Sequence, residues 1–379
     1  MMEAYDRFEL LINDRVVKTP VAIASMAGIV DAAYVLERAA HIGAAFIGGY
    51  SIDAPTLDAS RRMAAEGRKE FVYSDPIEAL AREIDALKQS DVVAGINLRG
   101  STPGAYAEIA RAFEDNVVYE IDAHCRQPAM VEAGCGEHLL HHPADLVAII
   151  RALKAEDVTV SVKVRAGVAA NDADLARTVW KAGADILHVD LMDFGHARLR
   201  QIRNASPMTL IANNSITTFE KAMDAFSHGA DLVSLARQSD PWTLAGLDAA
   251  ITRFADEGGW YNAPKQLCRG GDIRALTFCC MPVKSCPLLP ALDKIGLSRN
   301  EYLKLKQEAV KGTELDDGKS TCFGSLAWCC KSSTPCMFRN MTLEKKGLSA
   351  REYMRCKHRL AEKIVHRIFD ESKTADESG

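Results

Sequence analysis

The sequence predicts an α/β protein: a (β/α)8 barrel followed by a small, mainly helical, cysteine-rich module. Three observations carry this. Eight short apolar runs alternate strictly with amphipathic stretches from about residue 20 to 257. The alternation stops near Gly258–Gly259. Beyond that point a cysteine motif occurs twice at a nearly fixed offset.

Taken in order, Phe8–Thr19 has the look of a short hairpin that would close a barrel floor. The apolar runs are Val21–Met26, Ala44–Tyr50, Val92–Leu98, Val117–His124, Val158–Val164, Ile186–Leu191, Thr209–Ala212 and Leu232–Ala236. They are β-rich and apolar on both faces, as buried parallel strands are. Helical patterns lie between them, among others Ala105–Phe113, Ala144–Leu153, Asp174–Lys181, Thr218–Phe226 and Trp242–Phe254. An open doubly wound sheet is the competing arrangement. Eight units in alternation, with no G-x-G-x-x-G turn after the first strand, favour the closed TIM barrel. The expected division is a barrel over 1–258, a module over 259–373 and a flexible tail over 374–379.

The chain has 379 residues, 48% of them hydrophobic, enough for a large barrel and a small module. No uncharged apolar run reaches the roughly 18 residues of a membrane span. Met1–Arg7 has neither a basic n-region nor an apolar h-region, so the expected location is the cytoplasm. There, paired cysteines point to metal or redox chemistry more than to structural disulfides. Net charge is −5, unevenly spread: residues 259–379 hold 21 Lys+Arg against 14 Asp+Glu (+7), and the remainder 25 against 37 (−12). A basic module on an acidic body suits a polyanionic partner, or is simply a solvated helical surface. Arg351, Arg355, Lys357, Arg359 and Lys363 of the last helical stretch are candidates to face a phosphate backbone, or belong to that solvated surface.

Reactive groups of such a barrel sit at strand carboxyl ends. In order these ends read Ser25-Met26-Ala27-Gly28, Asn97, His124-Cys125, Lys163-Val164-Arg165, His188-Val189-Asp190, Asn213-Asn214-Ser215 and Ala236-Arg237. A small-residue turn lets a flat ring approach the backbone. An amide and a lysine bond the carbonyls and nitrogens of such a ring, and the ammonium favours its anionic reduced form. Arg237 after the eighth strand suits a phosphate. Together these are the requirements of flavin mononucleotide (FMN), with Cys125 over the ring as proton donor. Each residue also has a plainer reading: Lys163 paired with an acid, His188 satisfied in the core, Arg237 capping a helix, Cys125 a small hydrophobe.

The order and spacing of these motifs resemble the tRNA-dihydrouridine synthase family of FMN-binding barrels. Ser25-Met26-Ala27-Gly28-Ile29-Val30-Asp31 is similar to that family's Pro-Met-Ala-Gly-Val-Thr-Asp. Asp122-Ala123-His124-Cys125-Arg126 falls where the family has Asn-x-Gly-Cys-Pro. Gly134-Cys135-Gly136-Glu137-His138-Leu139-Leu140 resembles Gly-Ala-Gly-x-x-Leu-Leu. Val162-Lys163-Val164-Arg165-Ala166-Gly167 resembles Val-Lys-x-Arg-x-Gly. Ile211-Ala212-Asn213-Asn214-Ser215-Ile216 stands for Ile-Ala-Asn-Gly-Asp-Ile, and Ala236-Arg237 for Gly-Arg. The similarity covers about residues 8–245. It implies FMN contacts from Ser25, Met26, Ala27, Asn97, Lys163, His188, Asn213, Asn214, Ser215, Ala236 and Arg237. It further implies Cys125 as general acid to C5 of a uracil while hydride passes between C6 and flavin N5, Asp122 and Arg165 toward the substrate, tRNA as a possible partner, and an external reductant such as NAD(P)H or a ferredoxin-like protein. A thiol suits the acid role, since its reference pKa of about 8.5 keeps it protonated yet able to donate near neutrality. Four positions depart from the pattern: Asp122 replaces Asn, His124 replaces Gly, Arg126 replaces Pro, and Asn97 replaces the usual Gln. A non-tRNA small molecule or electron carrier is therefore the alternative substrate. A cysteine-rich end on this barrel is similar to the methanogenesis marker 9 type proteins of methanogenic archaea.

The module repeats itself. Cys279-Cys280 with Cys286 returns as Cys329-Cys330 with Cys336, at 329−279 = 50 and 336−286 = 50; Gly296-Leu297-Ser298 through Tyr302 returns as Gly347-Leu348-Ser349 through Tyr353, at 353−302 = 51. Cys268 and Cys322 precede the two units, giving Cys268/Cys279/Cys280/Cys286 and Cys322/Cys329/Cys330/Cys336, with Cys356 left over. Four thiolates suit a [4Fe–4S] cluster or a structural Zn2+. Adjacent cysteines diverge, so the sets are candidates for interleaving, for one cluster with spare thiols, or for thiols that bind nothing.

Overall fold

The computed structural model describes residues 7–192, 194–263, 266–319, 324–330 and 336–376. The chain divides into two compact units, one running to residue 225 and including 230–252, the other comprising 226–229 and everything from 253.

The first unit is a closed barrel. A two-stranded antiparallel hairpin, β1 (Leu11–Ile12) and β2 (Arg15–Val16), comes first. Eight parallel strands follow: β3 (Val21–Ile23), β4 (Ala44–Ser51), β5 (Val93–Arg99), β6 (Val118–Ala123), β7 (Val160–Arg165), β8 (Ile186–Asp190), β9 (Thr209–Asn213) and β10 (Leu232–Leu235). They lie in sequence order, and β10 closes on β3 with Val233 opposite Val21. Closure excludes the open sheet. The five expected helices occur at Pro103–Phe113, Pro143–Lys154, Asp172–Ala182, Phe219–Ser227 and Pro241–Gly258.

Alternate residues of a strand share a face, and inside this barrel the rows of β5, β6 and β8 climb from apolar to polar. On β6 the row is Val118, Glu120, Asp122; on β8 it is Ile186, His188, Asp190; on β5 it is Val93, Gly95, Asn97, Arg99. The lowest layer, Ala22, Ala44, Phe46, Val93, Val118, Ile186, Ile211 and Leu232, packs with Ile12 and Val17 of the hairpin, which closes the barrel floor as expected. Gly95 is required there, since a Cβ on it would lie 2.5 Å from the Phe46 ring. The apolar layer seals the bottom; the polar layers above it hold the site.

In the second unit the repeat is visible as structure. Helices Arg299–Val310 and Ala350–Asp376 each begin after a serine. Ser298 accepts from the Glu301 amide while Glu301 accepts from the Ser298 amide, and Ser349 and Glu352 do the same. Such a box satisfies two orphan donors and contributes about 1 kcal/mol. Four residues past each cap base the chain buries a tyrosine (Tyr302, Tyr353), and four further on a lysine (Lys306, Lys357), all 0% exposed. Lys357 therefore cannot face a phosphate backbone. Arg351 and Arg359 lie 3.4 Å from Asp256 and Glu314 respectively. Among the described residues no helix is long and apolar enough to cross a membrane.

Candidate active site

A cavity of about 1000 Å3 opens at the carboxyl ends of the barrel strands. It is lined by Ser25, Met26, Ala27, Asn97, Lys163, Asn213, Asn214, Ser215, Ala236 and Arg237, together with Cys125, Asp122 and Arg165. Every candidate from the barrel sequence is thus brought to one cavity except His188.

His188 lies below it, fully buried. Its Nδ1 is 2.7 Å from Glu120 Oε2 and its Nε2 is 2.7 Å from Ser234 Oγ. The expectation that His188 contacts a cofactor is corrected: both ring nitrogens are occupied one layer down. The pair serves the site indirectly. Burial pushes the His188 pKa down. Burial works the other way on Glu120, but His188, Lys163 and the Asn97 amide hold its carboxyl below the usual range. An ionised Glu120 only accepts, so Nδ1 of a neutral His188 donates to it, Nε2 accepts from the Ser234 hydroxyl, and Ser234 Oγ in turn accepts from Asn213 Nδ2 at 2.8 Å. At the other end Asn97 Nδ2 donates to Glu120 Oε1 at 2.8 Å. Both floor amides are therefore pinned with NH2 toward the network, leaving their oxygens for the cavity.

Lys163, at 5% exposure, donates to Ser25 Oγ (2.9 Å) and Ser25 O (3.2 Å) rather than to a carboxylate. That leaves the ammonium directed at the floor between the first and fifth barrel strands. Asn214, with φ +113°, occupies a region glycine prefers, and its Nδ2 donates to Met192 O at 2.6 Å.

Cys125 is held by its neighbours' backbone. Asp122 Oδ1 accepts from the His124 and Cys125 amides, both at 3.0 Å, and Cys125 O accepts from the Glu137 amide at 2.9 Å. Gly136, φ +66°, presses against this turn, and a Cβ there would sit 2.1 Å from Cys125 O. Asp122 Oδ2 accepts from Arg99 Nε at 2.9 Å, and Arg99 Nη1 reaches Glu70 Oε2 at 2.7 Å. All three side chains are at most 8% exposed. Burial raises the Cys125 thiol; Arg99 opposes this and Asp122 reinforces it. The sulfur is therefore protonated near neutrality.

Arg99, Glu70, Glu120 and Ser234 escaped the sequence reading. Arg99, the inward residue next above Asn97 on β5, had a signal, since an arginine ending an apolar strand requires a partner. Two of the substituted positions have charged partners of their own: Asp122 meets Arg99, and His124 Nε2 lies 2.7 Å from Asp190 Oδ2. Burial would raise Asp190, but the hydrogen bond from His124 takes it down to about 2. Arg165 Nε lies 2.9 Å from Glu137 Oε1, and its Nη2 reaches His124 O at 3.3 Å. Exposed Arg68, Lys69, Arg126 and Arg237 add positive charge to the lining.

In the second unit Cys279 and Cys329 are buried, Cys280, Cys286, Cys330 and Cys336 are partly exposed, Cys268 is exposed and Cys356 buried. Cys322 lies outside the described residues.

Fold and cavity together define a (β/α)8-barrel protein with a polar, cation-lined ligand cavity and a protonated cysteine at the strand ends. Residues 68–268, just over half of the chain, match the dihydrouridine synthase family model, and the chain belongs to that family. It is 50% identical over 107 residues to an uncharacterized protein of Methanocaldococcus jannaschii, covering 28% of this chain and 69% of that one. It is 26% identical over 231 residues to a second uncharacterized protein of that organism, covering 57% and 88%. A probable tRNA-dihydrouridine synthase of Rickettsia bellii is 26% identical over 211 residues, covering 50% of this chain and 60% of that protein.

Proposed function

We propose that the protein is an FMN-dependent oxidoreductase acting on the C=C bond of a uracil-like ring, with Cys125 as the acid. The observation that carries this is the gathering of the strand-end candidates and a protonated thiol around one cavity. Bound FMN supplies hydride exchange at N5. The residues fit it: cavities of about 300–1,000 Å3 take ligands of such size. Ser25 and Ala27 offer a small-residue wall beside Met26, the Asn97 and Asn213 oxygens accept from ring N–H groups, Lys163 supplies positive charge near the ring, and Arg237 suits the phosphate. Cys125 delivers a proton to the substrate carbon from a sulfur carried on the turn that Asp122 anchors. NAD(P)H or a ferredoxin-like protein would be the reductant, and tRNA the substrate by family.

A second substrate reading is favoured by Asp122. Three of its acceptor sites are used by Arg99 and two amides, and a carboxylate cannot donate to a uracil edge as the family asparagine does. The cavity lining instead includes Arg68, Lys69, Arg126 and Arg237, exposed cations that suit an anionic substrate. The resemblance to methanogenesis marker 9 type proteins supports such a role in anaerobic methanogen metabolism.

Anaerobic purification with quantification of released flavin tests the first statement: on the order of one FMN per chain is expected. A flavin-free protein that adding FMN does not perturb would refute it. Dihydrouridine content of bulk tRNA from a deletion strain separates the substrates. Loss of the modification selects tRNA; an unchanged content selects the small molecule.

A further inference from the structure

The two halves of the cysteine module are built into each other. Lys306, from the first repeat, lies 4.6 Å over the ring of Trp328, from the second. Lys357, from the second, lies 5.2 Å over the ring of Phe278, from the first. Phe278 and Trp328 are equivalent (328−278 = 50), as are Lys306 and Lys357 (357−306 = 51), and each aromatic directly precedes a Cys-Cys pair. Lys357 Nζ donates to two equivalent carbonyls at once, Thr277 O (2.6 Å) and Ala327 O (3.1 Å). Lys306 Nζ donates to Cys279 O at 2.5 Å. This reciprocal exchange makes a pseudo-dyad and brings both Cys-Cys pairs to it.

Both lysine side chains are 0% exposed. Among the described residues their partners are carbonyls, a tyrosine hydroxyl and aromatic rings, and no carboxylate pairs with either. A buried amine is costly to keep charged with no anion beside it. Lys306 is within electrostatic reach of Cys279, Cys280, Cys329 and Cys330, and Cys280 of both Cys286 and Cys330. The Leu288 amide donates to Cys286 Sγ at 3.5 Å, a bond that metal-bound thiolates accept.

We propose that the two repeats close on one shared [4Fe–4S] cluster ligated by Cys280, Cys286, Cys330 and Cys336, with Lys306 and Lys357 as its buried counter-charges. Four thiolates on a cluster core of charge +2 leave −2, which two lysines neutralise. The outer member of each Cys-Cys pair ligates, while Cys279 and Cys329 stay in the core. The choice of a cluster over zinc rests on the flavin reading above: a cluster exchanges electrons with a flavin, whereas zinc is redox-inert.

The full-length protein, purified anaerobically, is to be analysed for iron, acid-labile sulfide and zinc, alongside Cys280→Ser, Cys330→Ser and Cys268→Ser. The expected result is about four iron and four sulfide per chain, a loss of essentially all of both in either C280S or C330S, and retention in C268S. Half the iron retained in each of C280S and C330S would mean one centre per repeat and overturn the proposal. About eight iron per chain in the unmutated protein, or zinc without iron, or no metal, would overturn it with no variant needed. Lys306→Met adds a second readout: a cluster potential shifted negative, since a positive charge favouring the reduced form has gone. An unshifted potential removes the counter-charge role.

Discussion

Arg99 Nε sits 2.9 Å from Asp122 Oδ2 in the barrel interior, and the opposite oxygen of that aspartate holds the backbone of the Cys125 turn. A buried ion pair thereby anchors the turn that carries the Cys125 thiol, and Glu70 completes it on the other side of the guanidinium.

Stability responds asymmetrically to that triad. Arg99→Ala strands two buried carboxylates, and its expected cost is about 3–5 kcal/mol. Asp122→Asn keeps an oxygen for the two amides and leaves Arg99 with Glu70, at about 1–2 kcal/mol. Urea unfolding midpoints of the two variants check the order. Equal costs would mean that the ion pair is not what the barrel depends on.

The pH dependence of turnover carries the same relationship. The donor works while protonated, so activity is lost as pH rises through the Cys125 pKa, which burial has raised above the ordinary thiol range. Asp122→Asn removes a neighbouring negative charge that raises it, and moves the alkaline limb to lower pH. Arg99→Gln removes a charge that lowers it, and moves the limb higher. Cys125→Ala abolishes the limb and slows turnover about 10²–10⁴-fold while flavin stays bound. Pre-steady-state flavin reoxidation at a series of pH values reads all three.

The barrel was legible because its strands are uniformly apolar and its ends are not: Val162-Lys163-Val164-Arg165 announces both a strand and where it stops. Single residues at those ends were legible as a set. The layer beneath was not. Glu120 lies inside the apolar run Val117–His124, and only its closure against His188, 68 residues away in sequence (188−120), and through that ring to Ser234 shows why a carboxylate is there. Similarly, Asp122 read as a departure from the family because its partner, Arg99, belongs to another strand. In the module, the repeat was plain in sequence, but the crossing of Lys306 and Lys357 onto each other's aromatics needs three dimensions.

Acid stability tests the second charged pair. Asp190 has a folded pKa of about 2 against an ordinary 3.8. A depressed carboxylate contributes stability that is complete above its unfolded pKa and is lost as pH falls through its folded one. The wild type should therefore lose stability between about pH 4 and 2, with Asp122 and Glu120 acting in the same direction. Asp190→Asn should lower stability at pH 6 and show a shallower fall over that window. A parallel pair of curves would mean His124 does not stabilise the carboxylate.

Ser234 is the residue that tests whether the buried network matters to the cavity. Its hydroxyl donates to His188 Nε2 and accepts from Asn213 Nδ2, so it decides which way the Asn213 amide points. Ser234→Ala frees that amide to rotate and removes the fixed acceptor facing the cavity. The expected loss is about tenfold in FMN affinity, or ~1.4 kcal/mol, one net hydrogen bond. Ser161→Ala is the matched control: it removes a bond to Glu120 at 3.1 Å but leaves the amide's partner in place, and its affinity should stay within about twofold. Fluorescence titration of the flavin-stripped proteins measures both. If the two variants bind equally well, the floor amides take their orientation from the cofactor and not from the layer beneath.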